Sequence, residues 1–392
     1  MDFDRLIAPR ARAVDSSGIR KVFELASKLR DPVNLSIGQP DFPVPDPIKN
    51  AAIDAIRADR NGYSLTQGIP ELRASLRERL ASDVGWVFDA SPASPEVMVT
   101  SGTSGALWLL FMSILAPGDE IIVPDPYFVL YPPLATICAG KPVLCDTYPD
   151  GRLTAARVEP LISPRTKAIL FNSPANPTGV VATEQECADL LDLARRRNLL
   201  LISDEIYDEF CFSESRTQKT VDGSLRCPSP ARFPGAQDHV ALVRGFGKAY
   251  GPTGWRLGYV AAPRPLLDQM IKLQQYTFVC PPTPFQYACL EALRTDLTAI
   301  VDRFESRRDL VLGALAPLTD VFTPGGAFYA FVRAPGDDPR AASRFVERGI
   351  ERGLLTIPGS VFSSRDSHFR LSFAAPEATL TRGLDILRDL LS

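Results

Sequence analysis

Residues 96–107 read Glu-Val-Met-Val-Thr-Ser-Gly-Thr-Ser-Gly-Ala-Leu. The first five have the composition of a short buried strand, the middle is a turn rich in glycine and hydroxyls, and the apolar run that continues to Ala116 has the length of a helix, stopped by Pro117-Gly118. A strand that passes through such a turn straight into a helix is the opening of a β-α-β unit. Working outward, the alternation repeats, with strands predicted over 120–123, 167–171, 199–203, 240–243 and 257–261. A helix over 183–197 is opened by Thr183 and Glu186 in capping-box spacing. This predicts an α/β fold whose large domain, residues 46–288, is a mostly parallel central sheet flanked by helices. The ends read differently. Residues 1–45 are rich in proline and turn residues around one helical stretch, 19–29, and from 289 to 392 long charged helices flank the short apolar runs 328–332 and 369–373. Both ends are expected to fold together into a smaller α+β domain. Glycine and proline over 213–235 mark a long surface excursion.

Composition narrows the function. The 392 residues carry 43 basic and 46 acidic side chains, a formal net charge of −3, which gives no support to a nucleic-acid or membrane partner. Histidine occurs only at 239 and 368, which argues against a His-rich metal centre. The seven cysteines contain no CxxC pair and are expected to be free thiols. The N-terminus has acids where a signal peptide needs bases, and the most apolar long run, 106–116, falls far short of the roughly 20 residues that span a bilayer. A cytoplasmic protein is expected.

In open α/β sheets ligands bind outside the carboxyl ends of the strands. Behind the first strand stands Ser101-Gly102-Thr103-Ser104-Gly105 at a helix N-terminus, a place whose free amides suit a phosphate. Behind the strand at 167–171 stands Asn172-Ser173-Pro174-Ala175-Asn176-Pro177-Thr178-Gly179; behind 199–203, Asp204-Glu205-Ile206-Tyr207; behind 240–243, Arg244-Gly245-Phe246-Gly247-Lys248, with Arg256 beyond. Each piece alone has an ordinary explanation as a cap, a tight loop or a surface charge. The Gly-Lys is no P-loop, because Leu242 and Ala249 stand where that motif needs glycine and a hydroxyl. Together, four strand ends supply a phosphate cradle, an amide, a carboxylate with a nearby phenol, and a lysine followed by an arginine. That set matches the needs of pyridoxal phosphate.

With SGIRKVFELA, IGQPDF, YSLTQGIPELR, TSGTSGAL, PDPYFVLY, NSPANPTG, SDEIYDEF, GFGKAYGPTGWRLGY, PGGAFY and FRLSF in this order, the chain resembles the class I/II pyridoxal-phosphate-dependent aminotransferases of fold type I, from about Ile19 to Phe373. The resemblance implies that Lys248 forms the Schiff base with the cofactor and carries the proton at the substrate Cα. It implies that Asp204 keeps the pyridine nitrogen protonated, that Tyr207 and Asn176 donate to the ring oxygen, and that Phe128 stacks on the ring. Gly102, Thr103, Ser104 and Arg256 would bind the phosphate, joined by Tyr63 of a neighbouring subunit in a homodimer. Arg370 would pair with the substrate α-carboxylate, assisted by the amide of Gly38, with Ile19 and Asn176 also at the substrate. His368 is placed to border that carboxylate site.

Two departures bear on substrate choice. Gly247 stands where the family often has a serine that contacts the phosphate, and Ser104 stands where its bacterial aspartate enzymes often carry a lysine for the distal carboxylate. Without that lysine, and with Ile19, Tyr276 and Phe278 nearby in the motifs, a neutral aliphatic or aromatic donor is expected, although Arg20 or a partner residue could supply a cation. The reading is an aminotransferase with 2-oxoglutarate as acceptor. A C–S β-lyase or a cyclising elimination enzyme on the same scaffold stays open, because Cα deprotonation needs the same residues. A non-catalytic cofactor-binding regulatory module is the third reading; such proteins carry a DNA-binding domain, for which a resemblance starting by Ile19 leaves no expected room.

Overall fold

The computed structural model of the chain describes Met1, residues 3–16, Gly18 and residues 31–392. The helix expected over 19–29, with Ile19 and Arg20, lies outside the described residues. The centre is a seven-stranded sheet of β1 (Pro95–Thr100), β2 (Glu120–Asp125), β3 (Lys141–Asp146), β4 (Thr166–Asn172), β5 (Leu200–Asp204), β6 (Val240–Gly245) and β7 (Gly258–Pro263). Their order is β1-β7-β6-β5-β4-β2-β3, and every pairing is parallel except the two made by β7. Side chains alternate between two apolar cores. Met98, Ile121, Leu170, Ile202 and Val243 face the helices α1 (Gly102–Ile114) and α2 (Arg264–Gln275), while Val97, Ile122, Ile169, Leu201 and Leu242 face the other layer, which holds α3 (Glu184–Arg197). Because both faces are covered, the central strands read as continuous apolar runs with no polar alternation.

The capping box of α3 forms as its sequence predicts: Glu186 N–H donates to Thr183 Oγ1 at 3.2 Å and Thr183 N–H to Glu186 Oε2 at 2.7 Å. Three features differ from the sequence reading. Strand β3 (KPVLCD) was not anticipated, because it lies at the sheet edge, carries Pro142 and is half-exposed. Helix α1 ends at Ile114, with Leu115 already extended. The excursion over 213–235 is only partly at the surface: Cys227, Ser229 and Ala231 are buried, and the Trp86 indole donates to the Ala231 carbonyl at 2.9 Å.

A second, antiparallel sheet holds β8 (Tyr329–Arg333), β9 (Ile357–Pro358) and β10 (His368–Ser372) in the order β8-β10-β9. The N-terminal segment joins it: Val33–Asn34 pairs in parallel with Leu354–Leu355, and Ser372 N–H donates to the Leu35 carbonyl. No described helix is long and apolar enough to cross a membrane.

One charged cluster is built into the core. Arg244, on β6 and buried, reaches Asp83 Oδ2 at 2.5 Å, Glu205 Oε2 at 2.9 Å and Asp208 Oδ2 at 3.2 Å. Arg232 Nη2 holds the other oxygen of Asp83 at 2.7 Å. These pairs fix the loop after β5 to the strand beside it, and that loop carries Tyr207.

Candidate active site

The carboxyl ends of β1, β2, β4, β5 and β6 lie along one sheet edge, and β7 starts there, with Gly258 opposite both Thr100 and Gly245. A Cβ on Gly258 would sit 2.8 Å from the Gly102 carbonyl carbon and 2.9 Å from the Thr103 nitrogen, so only glycine lets these backbones meet. A cavity of about 320 Å³ opens at this edge. It is lined by Gly38, Gly102, Thr103, Ser104, Phe128, Asn176, Asp204, Tyr207, Lys248, Arg256 and Arg370, together with Tyr131, Asn172 and Tyr329. Several residues singled out from the sequence are not among them: Tyr276 and Phe278, expected at the donor side chain, do not line it, and Arg20 lies outside the described residues. Ile19 lies outside the described residues, and Tyr63 is 88% exposed and does not line the cavity of its own chain.

One end of the cavity is built for an anion. Gly102 has φ 69°, which favours glycine, and opens α1 with no side-chain cap on the first turn, so its amides remain to donate. Arg256, itself at φ 54°, donates from Nη1 to the Thr253 carbonyl at 2.9 Å, and its Nη2 lies 2.7 Å from where a Cβ on Gly102 would be. Arg256 forms no salt bridge with a carboxylate among the described residues. Beside Lys248, Gly247 leaves ordinary contact room for a Cβ, with Thr253 Cα at 3.5 Å.

In the floor, the buried Asp204 ends β5. Its Oδ2 accepts from the Tyr131 hydroxyl at 2.8 Å and its Oδ1 from the Ile206 amide at 3.3 Å. Burial without a cation pushes its carboxyl up to about 6, against the lowering effect of the Tyr131 hydrogen bond. Asn172 ties the neighbouring strand ends together, donating to the Asp204 carbonyl at 2.9 Å and accepting from the Asn176 amide at 3.0 Å. The Tyr207 and Tyr329 hydroxyls share a hydrogen bond of 3.0 Å. Burial, and then the nearby Arg370 and Arg256 charges, bring the Lys248 ammonium down to about 8, while its Nζ donates to the Gly38 carbonyl at 2.6 Å.

At the other end the buried Arg370 has no acidic partner among the described residues. It donates from Nη1 to Asn176 Oδ1 at 3.0 Å and from Nη2 to the Ser36 carbonyl at 2.9 Å, and its Nε has no partner among the described residues. Its guanidinium lies between the rings of Tyr329, at 4.4 Å, and Phe362, at 4.5 Å. A cation so placed has capacity for an anion it does not find among the described residues. His368 does not border it: the imidazole stacks on Phe331 at 5.2 Å, outside the cavity lining, and burial brings its pKa down to about 4.

This donor set fits pyridoxal phosphate. Among the described residues two arginines stand without carboxylates and a buried carboxylate without a cation, and between them sits a lysine held partly neutral. Tyr131 and Tyr329 were missed in the sequence although both sit in quoted motifs, at the ends of PDPYFVLY and PGGAFY; nothing in a single tyrosine says which neighbour its hydroxyl meets. Asn172, the first residue of NSPANPTG, was seen only as part of a turn.

The comparisons with known proteins agree with this chemistry. The sequence matches the family described as "Aminotransferase class I and II" over residues 30–387. It is 34% identical to the "Probable N-acetyl-LL-diaminopimelate aminotransferase" of Bacillus subtilis, over 98% of this chain and 95% of that one. It is 33% identical to the "Aromatic-amino-acid aminotransferase 2" of Thermococcus litoralis, over 98% of each. Among solved structures, Thermus thermophilus aspartate aminotransferase with maleate superposes with a TM-score of 0.86 at 34% identity, over 98% of this chain and 99% of that one.

Proposed function

The chain belongs to the class I and II aminotransferases, pyridoxal-phosphate-dependent transaminases of fold type I acting on amino and oxo acids, and from that premise we propose what this member transfers and which residues do it. The donor is a neutral or aromatic L-amino acid, the acceptor 2-oxoglutarate, and Lys248 holds the cofactor and moves the proton. The observation that carries this reading is the position of Lys248, a buried amine drawn down to about 8, in the same cavity as an arginine beside a helix start and a buried carboxylate, neither with an ion-pair partner among the described residues. When bound, pyridoxal phosphate supplies a carbonyl carbon for the amine and a conjugated ring that takes up the electron pair left at the substrate Cα.

Every other task falls to the chain's own residues. Gly102, Thr103, Ser104 and Arg256 bind the phosphate. Asp204 would hold the proton of the ring nitrogen, and the Tyr131 hydroxyl, donating to Oδ2, favours the ionised carboxylate. Asn176 and Tyr207 donate to the ring oxygen; since Asn176 Oδ1 already accepts from Arg370, its Nδ2 is the group left to do so. Phe128, which lines the cavity, would pack on the ring. Lys248 takes the Cα proton and returns it, and a pKa near 8 leaves part of the amine neutral at neutral pH. Arg370 binds the α-carboxylate, with Gly38 beside it.

The donor preference rests on charge. The cations among the described lining residues are Lys248, Arg256 and Arg370, each already occupied in this scheme, and Ser104 is neutral. The distal carboxylate of 2-oxoglutarate then falls to Arg20 or to a cation of a partner subunit. The exposure of Tyr63 supports its reaching the phosphate of a second copy in a homodimer, and Tyr276 is exposed to the same degree. The same reading keeps 46–288 as the cofactor domain and joins 1–45 to 289–392, which the pairing of Val33–Asn34 with Leu354–Leu355 supports. A cytoplasmic location goes with seven free cysteines.

The test is a panel of amino donors mixed with holoenzyme without an acceptor, followed by absorbance. Accumulation of the pyridoxamine form, with neutral and aromatic donors ahead of aspartate, is expected. Release of pyruvate and ammonia from a donor would instead establish elimination on this scaffold.

A further inference from the structure

The carboxyl ends of β2 and β3, on the far side of the sheet from Lys248, make a second set of contacts that catalysis does not use. Asp125, the last residue of β2, is buried. Its Oδ1 has no partner among the described residues, while its Oδ2 accepts from both the backbone N–H of Ser364, at 3.1 Å, and the Ser364 hydroxyl, at 2.6 Å. A buried carboxylate oxygen without a donor is a cost to the fold, so the acid is best explained by what the other oxygen holds. Ser364 belongs to the loop 359–367 between β9 and β10. The same loop receives the Tyr127 N–H at the Phe362 carbonyl, 2.7 Å, and the Tyr148 hydroxyl at Ser363 Oγ, 3.1 Å. Phe362, fully buried, is the ring that lies 4.5 Å from the Arg370 guanidinium, opposite Tyr329.

The geometry assigns Asp125 as a positioning residue for carboxylate recognition: by gripping Ser364 it holds the loop against the sheet edge, so that Phe362 keeps the Arg370 guanidinium in the plane that a carboxylate meets with two hydrogen bonds. This rests on the reading of Arg370 as the α-carboxylate partner. Asp125 does not line the cavity. Its effect passes through a loop that joins two strands of the second sheet to the edge of the first, so the two parts of the molecule are tied together beside the site. A guanidinium between two rings has little freedom while both rings are fixed. Release of one ring lets it turn, and a fork that turns loses the two-point match before it loses its charge.

The test compares holoenzymes carrying Asp125→Ala, Asp125→Asn, Ser364→Ala, Asp125→Ala with Ser364→Ala, and Arg370→Lys, with kcat and KM measured for one donor and one acceptor and Tm recorded alongside. Asp125→Ala is expected to raise KM roughly tenfold for donor and acceptor alike, since both present the same carboxylate, with kcat changed by less than about threefold. Asp125→Asn, whose side-chain oxygen accepts the same two donors, is expected to restore KM. The double variant is expected to be no worse than Asp125→Ala, because both changes cut one contact. Ser364 is exposed, so Ser364→Ala keeps the test alive if Asp125→Ala does not fold; it retains the backbone donor and is expected to raise KM in the same direction by less. A lowered Tm with unchanged KM overturns the proposal. If Arg370→Lys raises KM and the Asp125 variants do not, the proposal falls and the carboxylate reading stands; if Arg370→Lys leaves KM unchanged, that reading falls and the proposal with it.

Discussion

Removal of the Tyr131 hydroxyl, with the ring kept, tests the electrostatics of the cavity floor. In the protein the Asp204 carboxyl titrates at about 6, raised by burial from an ordinary 3.8. The buried Tyr131 hydroxyl, 2.8 Å from Oδ2, is the main group opposing that rise. A hydrogen bond to a charged group contributes about 1.5–3 kcal/mol, and one pH unit corresponds to about 1.4 kcal/mol, so Tyr131→Phe should lift Asp204 by about one to two units, to about 7 or 8. At pH 7 the ionised fraction falls from roughly nine-tenths to between a half and a tenth. Pyridoxal phosphate with a protonated ring nitrogen needs that charge opposite it, so its affinity should fall by about two- to tenfold at pH 7 and recover at higher pH. The assay is a pH series of cofactor titrations on both proteins, where Lys248 and the phosphate titrate alike and cancel in the comparison. The sign for folding follows from the same shift. A carboxyl raised on folding contributes stability below its unfolded pKa and loses it as pH rises through the folded value, so the cofactor-free protein should weaken between about pH 4 and 6, and the variant over a window reaching about 7 or 8. An acid limb of cofactor binding at the same pH in both proteins would refute the reasoning.

Other changes probe the remaining parts. Borohydride reduction of the holoenzyme, followed by peptide mapping, should place the cofactor on the peptide with Lys248, and Lys248→Ala should abolish turnover; label on another lysine sinks the assignment. Gly102→Ala puts a Cβ at φ 69° and 2.7 Å from Arg256 Nη2, and should weaken cofactor binding by roughly tenfold or more, measured by equilibrium dialysis. Gly247→Ser meets only ordinary contacts, and should leave Tm within about 2 °C while adding a hydroxyl beside the phosphate cradle; a large loss of Tm would show the site to be tighter than described. Asp83→Ala removes the carboxylate partner of Arg232 and one of the three that the buried Arg244 reaches, and should cost about 3 kcal/mol in denaturant unfolding. Those arginines hold the Asp83 carboxyl well below its usual range, so its contribution is present above about pH 4 and is lost as pH falls further.

How much of this was legible in the sequence depends on the range over which each residue acts. The strands of the sheet interior announced themselves because both their faces are buried, and the residues that follow them, Gly102, Asn176, Asp204 and Lys248, converge because parallel strands bring their carboxyl ends to one edge. Strand β3 did not, because Pro142 in its run reads as a strand breaker, and it is tolerated here because an edge strand is held by one neighbour. The capping box of α3 was readable because its partners lie three residues apart. Tyr131 meets Asp204 across 73 residues and Asp125 meets Ser364 across 239, and nothing local distinguishes either from an ordinary strand-end residue. The same limit applies to His368, which stands two residues before Arg370 and would share its face on a regular strand. The imidazole nevertheless packs against Phe331, Phe322 and Tyr148, while the longer arginine reaches past Tyr329 to Asn176. Spacing along the chain therefore selects the elements that carry chemistry, and side-chain length and the opposing element decide which of two neighbours enters the cavity.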